Sequence, residues 1–149
     1  RRQRQMCIRD SPIWVATELF SFGMLSFFYR DLKTADKKEI ARDLYKTTYG
    51  NLDSWLRCCT DLRNICAHYG RLYYRVFSAV PATPKGFPVV LQRSLFDNIV
   101  MLKFLYPDRD RWNSEVLSAI IALLEEYAGD IELSHIGFPD NWEELLRAK

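Results

Sequence analysis

DSWLRCCTDLRNICAHYGRLYYRV, residues 53–76, reads as one long helix. It opens on Asp53-Ser54, contains no proline, and repeats apolar residues at three- and four-residue spacing. At about 100° per residue, with Arg63 set at zero, Asn64 falls near 100°, His68 near 140°, Arg71 near 80° and Arg75 near 120°. Leu62, Ile65, Cys66, Tyr69, Leu72 and Tyr73 occupy the arc from about 180° to about 300° on the same reckoning. The expected helix is sharply amphipathic. Its polar face holds an amide, an imidazole and guanidiniums, with no lysine and no glutamate.

Outward from that helix the chain reads as helices joined by short loops. Ser11-Pro12 is a helix start, with serine as N-cap and proline in the first turn. The helix after it is apolar on several sides (Ile13, Trp14, Leu19, Phe20, Phe22, Leu25, Phe28) and is expected to be central and buried. A second helix is predicted over about Asp36–Leu44, followed by a loop over Lys46–Asn51. Pro81, Pro84, Gly86 and Pro88 exclude regular structure from Ser78 to Pro88. Further helices are predicted over about Leu91–Leu105 and Trp112–Tyr127, with a short amphipathic one over Trp142–Leu146. No period-two pattern persists, so the fold class is all-α, a bundle of about five helices.

The polar arc suggests a chemistry. Arginine holds phosphate through a planar bidentate fork, and histidine moves protons near neutral pH. Together they suit binding a phosphodiester, stabilising charge that develops on it, and moving a proton at a 2′-hydroxyl or leaving oxygen without a metal. The competing reading is a solvated helix face, which would ordinarily mix lysine with glutamate. Tyr74 falls near 20° on the same wheel, close enough to reach a cleft and stack a base, whereas Tyr73 reads as core. Cys66 reads as a small buried hydrophobe, and Trp14, Trp55 and Trp112 as core or interface anchors. His135, near a turn, reads as structural or exposed.

Arg63-Asn64-x-x-x-His68 resembles the R-N-x-x-x-H signature of HEPN-superfamily ribonucleases. The longer string Leu62-Arg63-Asn64-Ile65-Cys66-Ala67-His68, followed by Arg71-Leu72 and Arg75, resembles the bacterial abortive-infection (Abi-like) family within that superfamily. Pro12-Ile13-Trp14, Ser21-Phe22-Gly23, Leu25-Ser26 and Gly137-Phe138-Pro139-x-Asn141-Trp142 resemble it as well. The resemblance implies a HEPN-like helical bundle, usually a homodimer joined at the motif helix. It implies metal-independent RNA cleavage leaving a 2′,3′-cyclic phosphate or 3′-phosphate, in the service of phage defence. Carried over, Arg63 stabilises the scissile phosphate, His68 is the general acid/base, and Asn64 orients the phosphate or the imidazole. Arg71 and Arg75 are secondary RNA contacts. Many relatives carry His where this chain has Tyr69 and Trp-Asn where it has Tyr73-Tyr74.

Composition bounds these readings. The chain has 149 residues, 48% hydrophobic and 14% aromatic, enough for one domain with a real core and too apolar for disorder. The net charge is +2, and Arg1, Arg2, Arg4 and Arg9 against Asp10 make residues 1–11 locally +3. That segment, RRQRQMCIRDS, resembles translated sequencing-adaptor read-through. On that reading 1–11 is not native, and 12–149 is a single HEPN-like domain, the C-terminal part of a longer protein. Four cysteines in no regular framework point to reduced thiols and a cytoplasmic location. Cys58, Cys66 and His68 lack a fourth ligand and C-x-x-C spacing, and no tight acidic cluster suits Mg²⁺, so no metal or cofactor is expected. No apolar run reaches membrane-spanning length, so no membrane partner is expected. The expected partners are RNA, a second copy of the chain, and a regulatory RNA or antitoxin. Two alternatives stand beside the nuclease: a non-catalytic RNA-binding or antitoxin-like helical module, and a helical interaction domain whose polar stripe pairs with acids on a partner.

Overall fold

A computed structural model describes residues 21–148. The arginine-rich segment 1–11, the Ser11-Pro12 helix start and Trp14 lie outside them. All the regular structure among the described residues is helical. Ser21, extended at φ −64° and ψ 159°, caps α1 (Phe22–Asp31) by accepting from the Met24 amide at 3.3 Å. One helix therefore does not run unbroken through Ser21, contrary to expectation. After it come α2 (Thr34–Tyr45) and α3 (Tyr49–Ala67). Thr48 Oγ1 accepts from the Asn51 amide at 3.2 Å, so α3 begins four residues before Asp53. A threonine N-cap satisfies a donor that has no intrahelical partner, and Gly50 sits in the first turn.

A long non-helical segment leads to α4 (Leu95–Leu105). Arg109–Arg111, Trp112–Leu117 and Ser118–Glu126 then run on as one helix, α5, whose middle six residues are π-helical. A 3-10 turn, Leu133–Ile136, and α6 (Trp142–Leu146) follow. Ser78–Pro88 is non-helical as expected, but the irregular stretch is longer than expected at both ends, since α3 stops at Ala67 and α4 starts at Leu95, whereas α6 has its expected bounds.

α4 is the central element. None of its residues is exposed, and its polar members Asp97, Asn98 and Lys103 are hydrogen-bonded. Met101 joins Tyr29, Ala41, Leu52, Trp55, Cys58 and Ala79 in a core built with α1, α2 and α3. Phe96 and Val100 join Leu117, Ile136, Phe138, Trp142 and Leu146 in a second core with α5 and α6. The expectation that the first helix would be central and buried fails for its described part, Phe22–Asp31. Over its described part only Tyr29 is buried, and Met24, Phe27 and Phe28 are exposed. α1 runs antiparallel to α3, since Gly23 faces Thr60 at one end and Tyr29 lies near Asp53 at the other.

Side chains tie the irregular stretches down. Trp55 Nε1 donates to the Ala82 carbonyl at 2.7 Å, and Ser54 Oγ donates to Val80 O and accepts from the Ala82 amide. These bonds hold the proline-rich segment along α3. Trp112 Nε1 donates to Leu146 O at 2.8 Å, Lys103 Nζ to Leu145 O at 2.8 Å, and Asn113 exchanges two bonds with Ala148. These bonds satisfy carbonyls at the end of α6 that the helix leaves without partners.

Candidate functional site

The expected arc of polar residues depends on α3 reaching Val76, and it does not. α3 ends at Ala67, with His68 as C-cap. The Tyr69 amide donates to Cys66 O at 3.1 Å and the Gly70 amide to Ile65 O at 2.8 Å, the paired bonds of a Schellman closure. Tyr69 takes the left-handed position, φ 53°. Gly70 is required by space: a Cβ there would lie 2.7 Å from Ile65 Cγ2 and 3.0 Å from the Ile65 carbonyl oxygen. The chain folds back over its last helical turn, and a second left-handed residue, Tyr74 at φ 58°, turns it again. The Phe77 amide then donates to Arg93 O at 2.9 Å, and Ser78 Oγ bonds Asp61 Oδ2 at 3.2 Å. Arg71, Tyr74 and Arg75 thus leave the helix face on which the spacing places them.

The candidate residues fall into two groups. Arg63, Asn64 and His68 occupy the last turn and cap of α3, and all three are exposed. Arg63 Nη1 donates to Asn64 Oδ1 at 3.2 Å, and the His68 amide donates to Asn64 O at 3.1 Å. Asn64 therefore sits between the guanidinium and the histidine backbone. Cys66 is exposed, not buried as expected. Tyr69, expected on the apolar side, is 98% exposed. Cys58 is buried, and burial pushes its thiol up to about 11, so Cys58 and Cys66 sit in unlike environments.

The second group lies where the loop meets the C-terminal part. The Tyr74 ring packs 4.3 Å from the His135 ring at 30°. His135 Nδ1 is 3.3 Å from Tyr73 Oη, and its Nε2 is 3.1 Å from Tyr74 Oη and 2.9 Å from Glu132 Oε2. Tyr73 Oη accepts from the Glu132 amide at 3.0 Å, which leaves its proton for Nδ1. The tautomer protonated on Nε2 satisfies this set, with Glu132 as acceptor. Tyr73 is half-buried against the second core, as its spacing predicts. Arg75 and His135 line one groove of about 520 Å³ together with Arg93, Gln92 and Ser134. No hydrogen bond or ion pair among the described residues joins the two groups.

Two features were not legible as site residues: His135, and Arg93 on the far wall. His135 lies 61 residues beyond Tyr74 in the chain, and no local pattern announces their meeting. The turn that presents it depends on Gly137, at φ 82°, where a Cβ would come within 2.2 Å of Ser94 Cβ. Ser94 and Asp97 form the capping box of α4. The His135 turn is thus seated directly on the start of the central helix. Arg30, Arg42 and Arg111 make ion pairs with acids. Arg63, Arg71, Arg75 and Arg93 make none among the described residues. Among those residues no helix is long and apolar enough to cross a membrane.

A family model described as Abi-like protein matches residues 2–74. The match takes in α1, α2, all of α3 and the loop as far as Tyr74. It includes Arg63, Asn64 and His68 but not Arg75, Arg93 or His135. No curated protein and no solved structure matches the chain.

Proposed function

The chain belongs to the Abi-like protein family through residues 2–74, a membership that supports a role in abortive infection, and we propose that it acts there as a metal-independent endoribonuclease of the HEPN type. The observation that carries the reading is the grouping of Arg63, Asn64 and His68 on the exposed end of α3, with the guanidinium already hydrogen-bonded to the amide.

The reaction needs few parts. His68, neutral on one ring nitrogen, takes the proton of a 2′-hydroxyl as the 2′-oxygen attacks the adjacent phosphorus. The bond from phosphorus to the 5′-oxygen breaks, and that oxygen takes a proton from an imidazolium. The products are a 2′,3′-cyclic phosphate and a 5′-hydroxyl. Arg63 holds the non-bridging oxygens and stabilises the charge that builds on them. Asn64 fixes the Arg63 fork by its 3.2 Å bond. One chain offers one Arg–Asn–His set on an open surface. A homodimer pairing two α3 ends about a two-fold axis brings two sets together, so that one histidine serves as base and the other as acid. RNA is the partner, in the cytoplasm, with a regulatory RNA or antitoxin restraining the nuclease.

The test is RNA cleavage by the purified chain and by its Arg63→Ala, Asn64→Ala and His68→Ala variants. Loss of cleavage in the Arg63 and His68 variants at unchanged circular dichroism supports the reading. Cleavage retained by both refutes it. RNA bound but left intact by the wild type favours the non-catalytic RNA-binding module instead.

A further inference from the structure

We propose that the groove between the 75–76 loop, the 89–94 segment and the 134–139 turn binds one nucleotide unit of a single-stranded RNA, its base stacked on His135 and its phosphate held by Arg75 and Arg93. The inference rests on the reading of the chain as an RNA-acting protein, but uses a surface separate from the Arg63–His68 end of α3.

Three observations carry it. The groove's volume, about 520 Å³, suits a ligand of nucleotide size. It is lined by an aromatic ring that is already held in place. His135 is fixed by Tyr73, Tyr74 and Glu132 at 2.9–3.3 Å, and the Tyr74 ring backs it at 4.3 Å. A prefixed ring loses little freedom when a base stacks on it, and stacking tolerates any base. Val90, 75% exposed on the groove wall, supplies an apolar surface.

The third observation is charge. Arg75 and Arg93 make no ion pair with a described residue. Asp97, the acid that lines the groove, is buried, and its carboxylate accepts from the Ser94 amide at 2.8 Å and from the Ser94 hydroxyl. Glu132 is engaged by His135. Asp97 keeps its negative charge on the groove wall, but its bonded oxygen faces Ser94. Arg75, whose Nη1 donates to the Arg71 carbonyl at 3.3 Å, and Arg93 are the groove's cationic side chains without an acid partner among the described residues, and a phosphate is the anion their forks fit. Gln92 and Ser134 supply hydrogen-bonding groups for a base edge or a 2′-hydroxyl. A neighbouring groove of about 370 Å³ shares Arg93 and adds Arg57. It also carries Asp53, which opposes a second phosphate there, so the assignment stops at one nucleotide.

The experiment is fluorescence anisotropy on the full chain carrying His68→Ala, titrated into a labelled single-stranded oligoribonucleotide at fixed ionic strength. His135→Ala and Arg93→Gln are each added to that background, and adenosine monophosphate is the competitor. Each added variant is expected to weaken RNA binding at least about fivefold, and Arg93→Gln to lower the logarithmic salt slope by about one. The monophosphate is expected to compete only at far higher concentration than the unlabelled oligomer. Unchanged affinity in both variants overturns the assignment, as does the absence of RNA binding. A monophosphate that binds as tightly as the oligomer overturns the strand as occupant. Cleavage by the chain with native His68 is scored separately, so failure of the groove and failure of the nuclease reading are distinguishable.

Discussion

Gly137→Ala should destabilise the whole protein, and its cost can be worked from two facts. The residue holds φ 82°, a left-handed conformation that costs a residue with a Cβ about 1–2 kcal/mol. The new methyl would also stand 2.2 Å from Ser94 Cβ and 2.4 Å from Ser94 Oγ. Ordinary contact needs over 1 Å more, and Ser94 Cβ cannot swing away as the end of a long side chain can. Either the Leu133–Ile136 turn lifts off, or the α4 cap shifts and the Ser94–Asp97 box breaks. Overpacking of this kind costs about 1–3 kcal/mol, giving a total of about 2–5 kcal/mol. For a chain of this size that is a fall in Tm of the order of 5–15 °C. The assay is urea and thermal unfolding of wild type, Gly137→Ala, Ser94→Gly and the double variant. Glycine is a tolerable N-cap, costing only a few tenths of a kcal/mol relative to serine, and it removes both clashing atoms. The double variant should therefore recover at least about 1 kcal/mol of the loss, a coupling that independent sites do not show. A Gly137→Ala protein within about 0.5 kcal/mol of wild type, or a cycle with no coupling, would refute the reasoning.

Trp55→Phe keeps most of the ring but strips the Nε1 donor from Ala82 O. It should cost about 1–3 kcal/mol in urea unfolding and make the 78–88 segment more susceptible to proteolysis. Thiol labelling in the native state should modify exposed Cys66 quickly, while buried Cys58, with its thiol pushed up to about 11, reacts only on unfolding. Mass mapping of labelled peptides checks the order. Stability should also fall in alkali. Burial raises Tyr29 from 10.0 to about 12, with Asp53 and Tyr45 adding to it, and raises Cys58 from 9.0 to about 11. The unfolded chain releases these protons first, so their contribution is whole below about pH 9 and is lost as pH rises towards 12. Urea midpoints across that range test the sign. Arg111→Ala removes an exposed ion pair with Glu115, and the same unfolding measurement should change by no more than about 0.5 kcal/mol.

Local chemistry was legible in the sequence, and long-range placement was not. The prolines at 81, 84 and 88 exclude a helix wherever they fall, so the proline-rich segment was readable. The run Trp142–Leu146 has an apolar face that only burial explains, and it is a helix. The end of α3 is a different case. Residues 68–76 keep helical spacing, yet the chain turns back at Tyr69, and the closure depends on a gap beside Ile65 that only Gly70 fits. That glycine was the available signal, read inside a helix instead of beyond its end. Arg63, Asn64 and His68 are close in sequence, and the turn preserves their neighbourhood. Arg71 and Arg75 lie past the turn, so their spacing carried no information about the helix face. The pairing of Tyr74 with His135, and the meeting of Arg75 with Arg93, come from the packing of distant segments on α4.

On the proposed function, His68 drives RNA cleavage without a metal. The most direct measurement is the chemistry of the product ends after wild type and His68→Ala are incubated with mixed RNA in EDTA. Wild type alone should yield 2′,3′-cyclic phosphate and 5′-hydroxyl ends. Equal cleavage by both proteins, or RNA left whole by the wild type, would contradict it.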